Sequence, residues 1–342
     1  MADSGKFRGE TDFDISVIIC THNPREDYLR RTLEALQNQS LPRAQWEMLL
    51  VDNASTVNLS GKWDLGWHPH GRHVREEELG LTPARLRGIR ESAGGMLVFV
   101  DDDNVLNPDY LQRALEISNS HPWIGAFGGS TIGEYEIPPP DVAVDRLMQL
   151  AVRKIERSSW ACLPGTKSLV CAPCGAGMVV CRKVADHYAS SVASDEFRKL
   201  LDRRGNSLAS GGDSDIAYCA CELGLAVGLF SDLSLSHLIP AGRLDAAYLV
   251  RIAEEMSYSH AILRYRWDGI IPDDPGRPVY RGKADQLFRL YQKIRSRLRA
   301  SGSMTFGERV TVAEAAGLQR ARRDVIAHAS NEAASESGMN GQ

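Results

Sequence analysis

Short apolar runs alternate with stretches of helical periodicity over the first 130 residues. Ile15-Ser16-Val17-Ile18-Ile19-Cys20, Trp46-Glu47-Met48-Leu49-Leu50-Val51 and Met96-Leu97-Val98-Phe99-Val100 are short, β-rich and nearly continuous, as strands buried on both faces must be. Trp123 to Gly129, Met178 to Cys181 and Leu225 to Phe230 extend the set. Between the first two runs, Leu29, Leu33 and Leu36 share one helical face. Asn23 is placed to cap that helix, with Pro24 at its first position and Glu26 at its third. Thr82-Pro83 opens a second helix that runs to about Ala93 and stops at Gly94-Gly95. Asn107-Pro108 opens a third, through about Ser118, and Ser210 to Asp215 precede a fourth, through about Leu223. Alternating strands and helices predict an α/β fold with a doubly wound, mostly parallel central sheet and flanking helices. Residues 56–73 and 130–173 read as less regular, and 244–300 as amphipathic helix forming a C-terminal helical extension.

The bulk numbers narrow the class. At 342 residues, with 43% hydrophobic and 25% charged residues, the chain resembles an ordinary globular protein that buries a large core. A formal net charge of −4 gives no sign of nucleic acid as a partner. There is no apolar run of about 18 residues, and the polar first ten residues lack a signal-peptide core. The expected location is therefore cytoplasmic. Seven cysteines, an odd number, are expected to be reduced thiols. Cys162, Cys171, Cys174 and Cys181 hold one C-x-x-C, for which buried thiols are a better reading than zinc.

Polar groups at the strand ends change the picture most. The first strand delivers Thr21, His22 and Asn23, the second Asp52 and Asn53, and the third Asp101, Asp102 and Asp103. Ligands bind at the carboxyl ends of strands in open α/β sheets. Three consecutive carboxylates repel one another, and a hard divalent cation shared with phosphates is the usual offset. A solvated acidic turn is the competing reading, since Asn107-Pro108 follows. No G-x-G-x-x-G follows the first strand and no G-x-x-x-x-G-K-[ST] is present, which disfavours a dinucleotide oxidoreductase and a P-loop enzyme.

Taken in order, Ser16 to Asn23, Val51 to Ser55, Gly80-Leu81-Thr82-Pro83-Ala84-Arg85, Phe99 to Asp103, Gly175-Ala176-Gly177 and Gly212 to Ile216 resemble family 2 glycosyltransferases of the GT-A (Rossmann-like) fold. The resemblance covers roughly residues 14–240. It implies transfer of a sugar from a nucleotide-diphosphate sugar to an acceptor hydroxyl, usually with inversion and with Mg²⁺ or Mn²⁺. It divides the chain into a disordered 1–13, a catalytic 14–240 (nucleotide-binding half 14–130, acceptor half 131–240), a helical 241–330 and a disordered 331–342.

The resemblance also assigns roles. Thr21, His22, Asn23, Asp52, Arg85, Asp101 and Asp102 would bind the donor nucleotide. Asp103, with Asp101 and His237, would hold the metal. Gly175, Ala176 and Gly177 would let acceptor or donor sugar approach the backbone, with a tight turn as the alternative. Asp213 stands in the place of the catalytic base, with Asp215 in reserve; Gly212 departs from the family by standing where Glu is common. Capping of the next helix is the competing role for Asp213, and a surface or core position the competing one for His237. Trp123 and Trp160 suit sugar stacking or core packing equally. The basic segment 281–299 suits peripheral contact with the inner face of a membrane, where lipid-linked or saccharide acceptors would be met, or a solvated helix face. A nucleotidyltransferase-like enzyme and a catalytically silent nucleotide-binding module on the same fold remain as alternatives.

Overall fold

The computed structural model describes residues 12–193, 195, 197–273 and 304–339, with side chains through Asn331. The basic segment 281–299 lies outside the described residues. The apolar runs form the strands they predict. β1 (Phe13–Thr21), β2 (Trp46–Asn53) and β4 (Gly94–Asp101) lie side by side, β2 and β4 flanking β1, all parallel. Ile15, Val17, Ile18 and Ile19 have no exposed surface, because helices cover both faces of this part of the sheet. β3 (Gly71–Glu76) adds a parallel edge beside β2, starting at the end of the stretch 56–73 whose sequence reads as irregular; only Val74 of that strand is buried, so no hydrophobic alternation announces it.

Beyond β4 the sheet is mixed rather than mostly parallel. The nine strands run in the order β3-β2-β1-β4-β8-β6-β9-β5, with β7 paired to β9. The short β8 (Val179–Cys181) is antiparallel to both β4 and β6 (Ile124–Tyr135). β9 (Ala226–Ile239) is parallel to β6 and antiparallel to β5 (Asn104–Leu106) and β7 (Ser159–Ala161). Three-residue strands carry too little pattern to reveal direction.

α1 (Glu26–Gln37) and α2 (Leu81–Glu91) follow β1 and β3. α1 begins two residues later than its predicted first position. Asn23, at φ 48°, does not cap it; its side-chain oxygen accepts from Thr56 N at 2.9 Å instead, tying the β1 loop to the β2 loop. α3 (Tyr110–Ser120), α4 (Asp141–Val144) and α5 (Arg182–Val192) precede α6 (Gly212–Glu222). α7 (Ala246–Asp268) packs along α8 (Phe306–Met339). α8 continues past Asn331 to Met339, where small polar composition predicts disorder; alanine and glutamate in that stretch favour helix. Among the described residues no helix is long and apolar enough to cross a membrane.

Candidate active site

The parallel strands stop in register: Thr21 pairs with Asp52, and Cys20 with Asp101. The polar residues that follow them therefore share one edge. Thr21 donates to the Asp102 carboxylate. His22 Nδ1 lies 2.7 Å from the Asn53 carbonyl oxygen, and Asn23 Nδ2 3.0 Å from His22 Nε2. Asp52 is buried and committed. It accepts from Arg75 Nη1 at 2.7 Å and from the Ser55 and Leu59 amides. Burial would raise its pKa, but these donors outweigh it and hold the carboxyl below its usual range. Asn53 binds the Glu78 carbonyl and the Gly80 amide, which anchors the entry to α2.

Asp101, Asp102 and Asp103 occupy the tight turn from β4 to β5. Asn104, fully buried, closes it by donating to Asp103 Oδ1 and accepting from the Asp101 amide. Burial, then Asp103, pushes Asp102 up to about 7; the same two causes raise Asp101. For Asp103 burial also acts upward, but His237, Arg243 and Arg203 outweigh it and hold the carboxyl far below the usual range. The antiparallel pairing of Asn104 with His237 brings His237 Nε2 to 3.4 Å from Asp103 Oδ1. Arg243 Nη1 lies 3.1 Å from Asp103 Oδ2 and 3.3 Å from His237 Nε2. His237 Nδ1 is buried with no hydrogen-bond partner among the described residues. The Arg243 guanidinium fills the point where the Asp103 carboxylate and the His237 imidazole meet, so a divalent cation would take those two groups as ligands only with Arg243 displaced.

Across from the triplet, Asp213 opens α6 and is half-buried. Its Oδ2 accepts from the Gly175 amide at 2.8 Å and its Oδ1 from the Ser214 amide at 2.8 Å. Gly175 to Gly177 thus form the turn that fixes Asp213. Gly177 sits at φ +70°, a region glycine adopts freely, while Ala176 packs in the core. Asp215, the reserve candidate, is differently placed. It is 1% exposed, and both oxygens are bound, to Arg198 Nε at 2.8 Å and to Trp267 Nε1 at 2.8 Å. Arg85 is also buried. Burial acts to lower its pKa, but Asp202, Asp101 and Asp213 outweigh it, and its Nη1 donates to Asp202 Oδ2 at 2.9 Å.

Arg243 and Asp202 are groups near these residues that the motifs do not single out. Asp202 and Arg243 sit in short polar stretches with no periodicity, and only long-range packing brings them to the edge. Trp123 and Trp160, each about half exposed, flank His121. Trp160 pairs with Gly228, and on the partner β6 the span from Gly228 to His237 is only Phe127 to Gly133 because β9 bulges between them, so the tryptophans lie roughly 20 Å along the sheet from the triplet at ~3.3 Å per residue. The cysteines at 162–181 have separate neighbours: Cys171 faces Ser159, and Cys174 faces Thr131.

Comparison with known proteins matches this part of the chain. Residues 16–167 match the sequence model described as glycosyl transferase family 2. Glycosyltransferase AglE of Haloferax volcanii is 28% identical over 135 residues, 39% of this chain and 43% of that protein. Poly(ribitol-phosphate) beta-N-acetylglucosaminyltransferase TarS of Staphylococcus aureus is 26% identical over 109 residues, 31% of this chain and 19% of TarS. The chain thus aligns with less than half the length of these curated relatives. A crystal structure of S. aureus TarS 1–349 in complex with UDP-GlcNAc superposes with a TM-score of 0.48 at 14% identity, over 93% of this chain and 92% of that one. Residues 16–167, which hold β1 to β7 and the acid triplet, are thus the part of the chain that is similar to glycosyl transferase family 2.

Proposed function

We propose that this protein is an inverting, metal-dependent glycosyltransferase that moves a sugar from a nucleotide-diphosphate sugar to an acceptor hydroxyl. The observation that carries the reading is the meeting of Asp103 and His237, 3.4 Å apart, beside a further carboxylate, Asp213, in the first turn of α6. Asp103 and His237, with Asp101 beside them, would hold Mg²⁺ or Mn²⁺, which stabilises the negative charge that builds on a departing diphosphate. Asp213 accepts the acceptor hydroxyl's proton as that oxygen attacks the anomeric carbon. The bond from that carbon to the diphosphate breaks, and the nucleoside diphosphate leaves with the electron pair. Two backbone amides hold the Asp213 carboxylate in place, so its lone pairs are aimed before the acceptor arrives. Thr21, His22, Asn23 and Asp102 line the donor's side. Asp52 and Arg85 support that side from beneath, since both are buried and paired. A saccharide or lipid-linked saccharide is the acceptor class this reading implies, in polysaccharide or glycoconjugate synthesis.

The test is nucleoside diphosphate release from a panel of UDP-, GDP- and dTDP-sugars, with Mn²⁺, with Mg²⁺ and with chelator. Release from one donor is expected, lost with chelator and in Asp103→Asn. Asp213→Asn should lower kcat by about 10²–10⁴-fold with nucleotide affinity unchanged by calorimetry. Failure to bind any nucleotide with or without metal would overturn the proposal.

A further inference from the structure

We infer that Asp202 is a positioning residue of the transfer site, holding the Arg85 guanidinium away from Asp213 so that Asp213 stays free to take a proton. The inference rests on the transferase reading above. Asp202 follows the turn Arg198–Leu201 and is 5% exposed. Its Oδ2 accepts from Thr82 Oγ1 at 3.0 Å and from Arg85 Nη1 at 2.9 Å. A hydrogen bond to Thr82 alone would need only an amide. A buried carboxylate is costly unless a charge answers it, and Arg85 is the charge that does.

Arg85 has other carboxylates within reach. The guanidinium feels Asp202, Asp101 and Asp213 together. Its Nη2 and Asp213 both lie close to Gly175: a Cβ built there would stand 2.7 Å from Nη2 and 3.6 Å from the Asp213 Cβ. The same Cβ would stand 3.8 Å from Asp213 Oδ2, which puts guanidinium and carboxylate within about 6.5 Å of each other. An arginine fork pairs readily with a carboxylate, so without the Asp202 charge Arg85 would turn to Asp213. A carboxylate in such a pair is a weaker proton acceptor.

The Asp202 carboxylate also lies against Gly212. A Cβ on Gly212 would be 2.1 Å from Asp202 Oδ2 and 2.4 Å from its Cγ. Gly212 is not among the glycines with left-handed backbone, so the carboxylate, not the backbone, demands glycine there. One volume beside Asp213 can be filled from either position, by a side chain at 202 or by one at 212.

This exchange supplies the experiment. kcat, donor KM and thermal midpoint are measured by nucleoside diphosphate release and melting for the wild type and for Asp202→Asn, Asp202→Gly, Asp213→Asn and the double variant Asp202→Gly/Gly212→Asp. Asp202→Asn keeps the shape and the Thr82 contact; its kcat should fall by about 10–100-fold, as losses of orienting partners do, with donor KM within about threefold. Restoring the charge from the other backbone position should return kcat at least about tenfold above Asp202→Gly, about 1.4 kcal/mol in the barrier. Wild-type kcat in Asp202→Asn overturns the inference, as does a double variant no faster than Asp202→Gly. If Asp202→Asn does not fold, the double variant decides alone. An active wild type, an inactive Asp213→Asn and an unaffected Asp202→Asn would defeat this inference and leave the transferase reading standing. A wild type inactive with every donor would defeat both.

Discussion

At the scale of single residues, the site separates carboxylates that are structurally committed from those open to chemistry. Asp52, Asp202 and Asp215 are each buried and paired with an arginine; Asp213 is held only by backbone amides. Asp52 makes the pH behaviour testable. Its folded-state pKa is depressed, despite burial, by Ser55 and Arg75, so its stabilisation is present above the unfolded value of about 3.9 and is lost as pH falls through the lower folded value. Asp52→Asn should therefore lower the urea midpoint at pH 7, and the difference from wild type should shrink toward pH 3. An unchanged difference between the two pH values would count against the ion pair. Asp215→Ala leaves the Arg198 guanidinium, which has no exposed side-chain surface, without its partner. A loss of roughly 3–5 kcal/mol is expected, read from denaturant unfolding.

At the scale of elements, close contacts decide how the site's supports sit. α2 carries Thr82 and Arg85 and lies on β1 through Gly88. A Cβ there would be 2.5 Å from Ile18 Cγ2, and Ile18 has no exposed surface or room to yield. Gly88→Ala should cost about 1–3 kcal/mol by overpacking and, by lifting α2, should lower kcat as well as the thermal midpoint. A variant as stable and active as wild type would show that α2 shifts freely. The long β9 does the corresponding work for the second half: its pairing with β5 sets His237 opposite Asn104, one residue from the triplet. Its apolar run predicts only the first five residues or so. The remainder alternates, with Leu233, Leu235 and His237 buried between more exposed serines and Asp232, and a register shift near Gly128/Ser130 of its partner β6 breaks the pattern.

At the scale of the whole molecule, the C-terminal helices brace α6 from outside. Trp267, near the end of α7, donates to Asp215 two residues after Asp213. α8 is held to α7 by Arg320 with Glu254 and Glu255, and by Tyr258 with Asp324. The helices approach closely at Gly317, where a Cβ would stand 2.1 Å from the Glu254 carbonyl oxygen. Backbone cannot give as a side chain can. Gly317→Ala is therefore expected to push α8 off α7 and to lower the thermal midpoint by several degrees, about 1–3 kcal/mol; an unchanged midpoint would mean that α8 contributes little to stability. The sequence by itself determined the parallel core and the polar tips of its strands, because a strand buried on both faces must be continuously apolar and its chemistry can begin only where the apolar run stops. The resemblance of its motifs to family 2 glycosyltransferases singled out Asp213 as the candidate base. Only the tertiary structure decided which carboxylates are spent in ion pairs, that β8 runs against its neighbours, and that Asp202 and Arg243 reach the site from polar segments without periodicity. Those outcomes depend on contacts between residues far apart in the chain, and local pattern carries no record of them.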